Sequence, residues 1–354
     1  MEAGKTIREA IGGSLPVENV QELASRSLNH IPDRYIRSQL ELHDDILAVQ
    51  QPLQIPIWSC SSVIYYHCEI RFNLSKCKPG VNTQLINHGA AQVIEEMKVV
   101  TEEFFKLPLM EKMICGQLPN NIEGYGQAFV VSEDQKLDWG DMLFLMALPH
   151  SKRNMTFWPQ NPTNFRETLH NYSKELHKIA LRLLSWMAKN LGIEAHELSA
   201  PYEDCNQGIR MNYYPPCVNA DKVVGLTPHS DATGLTLLLQ VNQVQGLQIK
   251  KDSKWIPIQP IYGAIIVNIG DILEIMSNGE YSSIEHRAVV NFEKERLSIA
   301  AFHSPNVTAN IGPLPDLVKK SAEKYKTLSH QEYLKQVMAT KLDGKSLLEH
   351  MKIT

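Results

Sequence analysis

From Gly208 onward the chain is cut into short runs rich in leucine, β-branched and aromatic residues: IRMNYY, GLTLLLQ, GLQIK, KWIPIQ, GAIIVNIG, SIEHRAVVN and RLSIAAFH. Turn-forming residues separate them, at Pro215-Pro216, Asn242, Asp252-Ser253 and Asn278-Gly279. Apolar runs this short suit strands rather than helices. Their regular spacing predicts an antiparallel β-sandwich or barrel.

The flanking sequence has helical periodicity. Val93, Met97, Val100 and Phe104 recur on one face of 91–105, with Glu95, Glu96, Lys98 and Glu102 between them. Leu169, Tyr172, Leu176, Ile179, Leu183 and Met187 line one face of 163–191, with Thr163 placed to cap the start and Gly192 to end it. A polar helical stretch is expected over 14–48, beginning after Pro16, and two or three short strands over 119–150. Near the C-terminus Ser329 and Glu332 form a capping box for a helix running to about Thr340. The fold class is therefore α+β. It divides into a mostly helical region 1–200, a β-core 205–305 and a helical closure 306–354.

Lys plus Arg total 35 and Asp plus Glu 39, for a net charge of −4, which argues against nucleic acid or an anionic membrane as the main partner. No apolar run is long enough to cross a bilayer, and MEAGKTIREAIGGSLP has no signal-peptide core. Six cysteines, none in a C-x-x-C pair, are too sparse for a disulfide scaffold or a zinc ribbon. The expectation is a cytoplasmic monomer that acts on a small molecule.

The β-region carries His229-Ser230-Asp231. On a strand, residues i and i+2 point to one face, so His229 and Asp231 can aim into the same interior. His286 lies on a later run. Two imidazoles and a carboxylate make the facial triad of non-haem Fe(II) sites, which leaves three coordination positions open. Ten residues after His286 comes Arg296, with Ser298 on the same strand face. An inward Arg on a largely apolar strand needs an anionic partner. Its planar fork suits a carboxylate. That partner is a bound ligand or a neighbour such as Glu293 or Glu295.

These residues carry a family resemblance. NYYPPC at 212–217, HSD at 229–231, GLQI at 246–249, NIGD at 268–271, HR at 286–287 and RLS at 296–298 resemble, in that order, the plant 2-oxoglutarate- and Fe(II)-dependent dioxygenases. GSLPVENVQELA at 13–24, EGYGQAF at 123–129, RNMTFWP at 153–159 and LDGKSLLEHM at 342–351 are most similar to the branch of codeine and thebaine O-demethylases and dioxygenase-like norcoclaurine synthases. The resemblance implies a double-stranded β-helix (jelly-roll) core. It implies Fe(II) on His229, Asp231 and His286, with O₂ as oxidant and ascorbate in support. It implies that Arg296 and Ser298 hold the distal carboxylate of 2-oxoglutarate, with Asn212 and Tyr214 beside it. The implied reaction oxidises a small aromatic plant metabolite, an alkaloid among the candidates, by hydroxylation or O-demethylation, releasing succinate and CO₂. The alternatives are a non-oxidative condensation of an amine with an aldehyde, as in norcoclaurine synthases, and a catalytically silent member.

Phe302 shares the strand face of Arg296 and is a candidate for stacking on a flat substrate; Tyr125, Phe129 and Phe144 are candidate pocket residues. Core packing is the competing reading for all four. NIGD reads as a structural turn, His67 and His303 as non-ligands, and Cys217 as a small buried residue.

One stretch departs from the family. IPI at 55–57 starts as expected, but WSCS follows at 58–61, and KPGVNT at 78–83 stands where an aromatic strand belongs; the match resumes with QLINHG at 84–89. Large apolar side chains are lost over 58–83, and Pro79 withholds a ladder hydrogen bond. The protein should therefore melt below relatives that carry the usual segment. An equal or higher Tm in parallel thermal melts would contradict this.

Overall fold

The structure is a computed structural model and describes residues 15–26, 30–38, 57–59, 83–119, 121–127, 130, 132–339 and 344–353. Helix α1 (Val20–Ser25) is followed by β1 (Ile57–Ser59), β2 (Thr83–Ile86), α2 (Ala91–Lys106), β3 (Gly124–Gly126), β4 (Asp141–Leu148) and the long α3 (Phe165–Leu191). The core strands are β5 (Asn206–Tyr214), β6 (Leu226–His229), β7 (Leu235–Gln240), β8 (Leu247–Lys251), β9 (Lys254–Pro257), β10 (Ile265–Ile269), β11 (His286–Ala288) and β12 (Arg296–Ser304), with α4 (Asp271–Met276) between β10 and β11. A small β13 (Asn310–Ile311) and β14 (Leu328–Ser329) ladder precedes α5 (His330–Ala339) and α6 (Ser346–Met351).

Two sheets form the core. The larger has the order β1-β2-β10-β7-β12-β5-β4-β3, and the smaller β6-β11-β8-β9. Side-chain alternation gives the large sheet two buried faces. Its outer face presents Ile209, Met211, Leu237, Leu239, Leu297 and Ile299 to Ile94, Met97, Val100 and Phe104 of α2 and to Leu169, Tyr172, Leu176 and Leu183 of α3. Its inner face presents Leu238, Ile266 and Ala300 to Leu247, Ile249 and Ile256 of the small sheet. The runs therefore read as almost continuously apolar where both sides are covered, as β7 does. The jelly-roll expectation holds.

Before residue 200 the described residues include strands as well as helices. β2 pairs with β10, and β4 pairs with β5, so residues 83–148 complete the same large sheet. Within 14–48 the described helix is only Val20–Ser25, capped by the Asn19 side chain, which accepts from Glu22 N at 2.8 Å. Residues 30–38 are non-helical and pack Ile31 and Tyr35 beside Trp139 and Val223. At the long helix the cap position is Asn164 rather than Thr163, because Phe165 N is held by Pro162 O and starts the helix there. Gly192 ends it in the left-handed region as expected, φ 67°. Glu332 N donates to Ser329 Oγ at 3.2 Å, so half of the predicted capping box forms. Of the atypical stretch, Trp58 and Ser59 lie on β1 in parallel register with β2. Residues 60–82 are outside the described residues, as is His67.

The NIGD turn is structural, and it supports the loop after β6. Asp271 N donates to Asp231 O at 2.8 Å, Gly270 N to Gly234 O at 2.9 Å, and Ser230 Oγ to Asp271 Oδ2 at 2.9 Å. A Cβ on Gly270 would stand 2.0 Å from Thr233 O and 2.9 Å from Asp231 O. Gly270→Ala should therefore cost about 1–3 kcal/mol in chemical denaturation, through forced backbone displacement. Wild-type stability in that variant would show that the turn relaxes freely.

Candidate metal centre

His229 ends β6, and His286 begins β11 directly opposite it in the antiparallel ladder. The pairing brings the two imidazole centroids to 4.4 Å. Asp231 lies just past the strand end, so the loop rather than strand alternation delivers it to the same point. Its Oδ1 stands 3.7 Å from Nε2 of each histidine. One ligand atom from each of the three falls within 4.8 Å of the others, and among the described residues this is the one such group of three or more.

The local hydrogen bonds orient these side chains. His229 Nδ1 donates to Thr227 O at 2.8 Å and His286 Nδ1 to Ile284 O at 3.1 Å. A carbonyl can only accept, so each Nδ1 carries the proton and each Nε2 keeps a lone pair for a metal. Burial, with the neighbouring His286, holds His229 well below the ordinary imidazole range, which keeps it neutral and able to ligate. Asp231 Oδ2 is buried without a hydrogen-bond partner. A carboxylate with one oxygen beside both imidazole Nε2 atoms and the other orphaned fits a divalent cation, and His₂-carboxylate is a suitable donor set for Fe(II).

A further layer fixes β6. Thr227 gives its amide and hydroxyl to Asp138 Oδ1, at 3.1 and 2.6 Å, while Arg37 Nη2 donates to the same oxygen at 2.9 Å. Ser230 N donates to Gly344 O at 3.0 Å and Gly344 N to Pro228 O at 3.1 Å. Arg37 and Gly344, far apart in sequence, are thus both tied to the strand that carries His229.

The second expected cluster also assembles. β12 pairs with β5 so that Arg296 faces Tyr214 and Ser298 faces Asn212. Asn212 Nδ2 donates to Ser298 Oγ at 3.4 Å. Arg296 is 2 % exposed. Its Nη2 donates to Gln240 Oε1 at 2.8 Å, its guanidinium carbon lies 5.3 Å from the centre of the Tyr214 ring, and its Nε has no partner. Among the described residues no acidic side chain pairs with it; Glu295 instead accepts from Tyr213 OH at 2.6 Å on the opposite face. A buried guanidinium without a counter-ion is costly unless an anion binds. The guanidinium also reaches the Tyr214 hydroxyl and has only donors to give, so the Tyr214 O–H is left for an acceptor.

The candidate pocket residues divide. Phe144 and Phe302 are on the inner face, partly buried, on either side of Gly208. Tyr125 is a correction: it pairs with Leu143, is 1 % exposed and packs on Phe104 and Phe105 at 5.7 and 6.3 Å. Its hydroxyl accepts from Asn19 Nδ2 at 2.6 Å, so it belongs to the helix-facing core. Phe129 lies outside the described residues. His303 is fully buried on the outer face against Gln207, and Cys217 is a buried free thiol. Sequence reasoning missed Gln240 and Gly246. Gln240 is the one polar end of an apolar run. A Cβ on Gly246 would sit 2.6 Å from Arg296 Cδ, so the glycine makes room for that side chain. No helix among the described residues is long and apolar enough to cross a membrane.

Comparisons with known proteins agree with this geometry. The 2OG-Fe(II) oxygenase superfamily profile matches residues 205–305, and the profile of the non-haem dioxygenase in morphine synthesis N-terminal matches 80–161. S-norcoclaurine synthase 1 of Coptis japonica is 55% identical over 97% of this chain and 98% of its own. Oxoglutarate-dependent flavonoid 7-O-demethylase 1 of Ocimum basilicum is 45% identical over 98% and 93%. The crystal structure of JOX2 in complex with 2OG, Fe, and JA superposes with a TM-score of 0.85 at 33% identity, covering 96% of this chain and 99% of that one. The chain belongs to the 2OG-Fe(II) oxygenase superfamily and is an Fe(II)- and 2-oxoglutarate-dependent dioxygenase.

Proposed function

We propose that the protein oxidises a small aromatic specialised plant metabolite, an alkaloid among the candidates, by hydroxylation or by O-demethylation. His229, Asp231 and His286 hold Fe(II) through two imidazole Nε2 atoms and one carboxylate oxygen. Arg296 binds the distal carboxylate of 2-oxoglutarate, and Ser298 and Tyr214 add hydroxyl donors. Asn212 steadies Ser298. Phe144 and Phe302 hold the aromatic ring of the substrate beside Gly208. Iron bound there with 2-oxoglutarate and O₂ supplies oxidative decarboxylation to succinate and CO₂, coupled to oxygen insertion into a substrate C–H bond. The apolar part of the inner face, at Leu238, Ile249 and Ile266, helps to exclude water from that chemistry. Hydroxylation of an O-methyl group gives a hemiacetal that loses formaldehyde and leaves the free phenol. We further propose a cytosolic monomer, on the net charge of −4 and the buried free thiols Cys115, Cys205 and Cys217.

The observation that carries the oxidative reading is Arg296, buried with no counter-ion among the described residues, on the same inner face as Asn212 and Ser298. A chain with no use for a dicarboxylate has no physical need for it. The second reading is amine–aldehyde condensation, favoured by the 55% identity to S-norcoclaurine synthase 1.

Anaerobic addition of Fe(II) and 2-oxoglutarate should produce a weak charge-transfer band in the visible. His229→Ala should abolish the band, and its survival would remove His229 from the metal site. Arg296→Met should keep iron but raise the KM for 2-oxoglutarate by roughly a hundredfold, as for loss of a buried charge-assisted contact. An unchanged KM would place the distal carboxylate elsewhere. Aerobic turnover of a methoxylated aromatic should release succinate and formaldehyde in equal amounts. Product from an amine and an aldehyde without O₂ and without succinate would move the condensation reading ahead.

A further inference from the structure

Glu274 on α4 is a buried carboxylate that belongs neither to the metal ligands nor to the co-substrate cluster. Its Oε2 accepts from Ser283 N at 2.6 Å, Ser283 Oγ at 3.0 Å and Lys345 Nζ at 2.9 Å, and its Oε1 accepts from Tyr325 OH at 2.7 Å. Burial alone would push this carboxyl up. Lys345 and the surrounding donors outweigh burial and hold it below the usual carboxylate range, so it stays charged.

The partners of Glu274 lead to the surroundings of all three metal ligands. Ser283 precedes Ile284, whose carbonyl accepts from His286 Nδ1. Lys345 follows Gly344, which is bonded to Pro228 O and Ser230 N on either side of His229. One turn earlier on α4, Asp271 holds the Asp231 carbonyl and the Ser230 hydroxyl. Lys345 closes the arrangement, because its Nζ also donates to Ser283 O at 3.0 Å. Two consecutive residues of the C-terminal segment are therefore fixed to different parts of the site, Gly344 to β6 and Lys345 to α4. Further along, Leu348 and Met351 are buried in the main apolar core and anchor the segment independently. Loss of the Lys345 ammonium would leave the buried Glu274 charge uncompensated and would release the end of the segment that lies against β6. A site whose surroundings are docked only part of the time binds its ligand more weakly in proportion.

We propose that Lys345 is a positioning residue for the metal centre: its clamp on Glu274 and Ser283 holds the C-terminal segment and α4 against the three ligands, so that iron affinity and docking of the segment depend on each other. This rests on the metal-site reading above and adds a distant residue to it.

The test uses the full chain and Fe(II) alone. Anaerobic competition with a chromogenic chelator gives the iron affinity. Lys345→Met should weaken it about tenfold, as for loss of an outer contact that orients metal ligands. Lys345→Arg should recover most of the affinity. Lys320→Met is the control, since it removes an ammonium that holds Leu191 O and Gly192 O at the end of α3. Its affinity should stay within about twofold of wild type. The coupling is reciprocal, so the wild-type chain reports it without any substitution. Iron should slow hydrogen exchange of the peptide containing Gly344 and Lys345 by about the same factor, with the amides of α3 as the reference for any global effect. The slowing should vanish in Lys345→Met. An affinity within about twofold of wild type in Lys345→Met, equal losses in Lys345→Met and Lys320→Met, or exchange at Gly344 and Lys345 that ignores iron would each overturn the proposal. A wild-type chain that binds no Fe(II) would instead bring down the metal centre itself, and the proposal with it.

Discussion

The ladder between β12 and β5 is the constraint on which the site depends. It runs unbroken from Arg296 opposite Tyr214 to Ser304 opposite Asn206. Because side chains alternate, this one register sends Arg296, Ser298, Ala300 and Phe302 inward with Tyr214, Asn212, Arg210 and Gly208. The same register sends Leu297, Ile299 and Ala301 outward into the helix-packed core. A slip by one residue would exchange the two sets, putting a guanidinium against α2 and α3 and leucine where the co-substrate belongs. The apolar outer face therefore enforces the polar inner one. The hydrophobic effect acting on Ile209, Met211 and Ile299 holds the recognition surface in place without touching it.

The metal centre is built by different means. Three groups converge from one cross-strand pair and one loop, and the loop is held from several directions. Thr227 and Asp138 fix the approach to His229, Asp271 fixes the backbone at Asp231, and Ser230 is bonded to both Asp271 and Gly344. Such outer contacts determine the tautomer and direction of each ligand, on which metal affinity depends.

Much of this was legible in the sequence because strand periodicity is simple. The spacing of Arg296 and Ser298 was enough to put both on one face, and the runs after Gly208 were enough for the β-core. Two placements needed partner strands. Tyr125 lies on the outer face only because it pairs with Leu143, and no pattern within EGYGQAF reveals that. Asp231 reaches the iron site from a loop whose path is set by Asp271, a residue 40 positions further on. Arg210 was legible in principle, since it has the parity of Asn212 and Tyr214, but a lone Arg in a strand has many surface readings until its face is known to be interior. The short α1 shows the reverse case: where helical composition over 14–48 suggested helix, the described residues 30–38 form a turn that packs Ile31 and Tyr35 beside Trp139.

β6 is the outermost strand of the smaller sheet. An unpaired strand edge offers its amides and carbonyls to any other chain that can add alongside, which is a common start for aggregation. Here Gly344 forms a parallel bridge to His229 and occupies that edge. The tail thus acts as a built-in gatekeeper. The edge strand that carries His229 is kept from templating growth by its own C-terminal segment, and colloidal good behaviour and the geometry of the site come to share the same two hydrogen bonds.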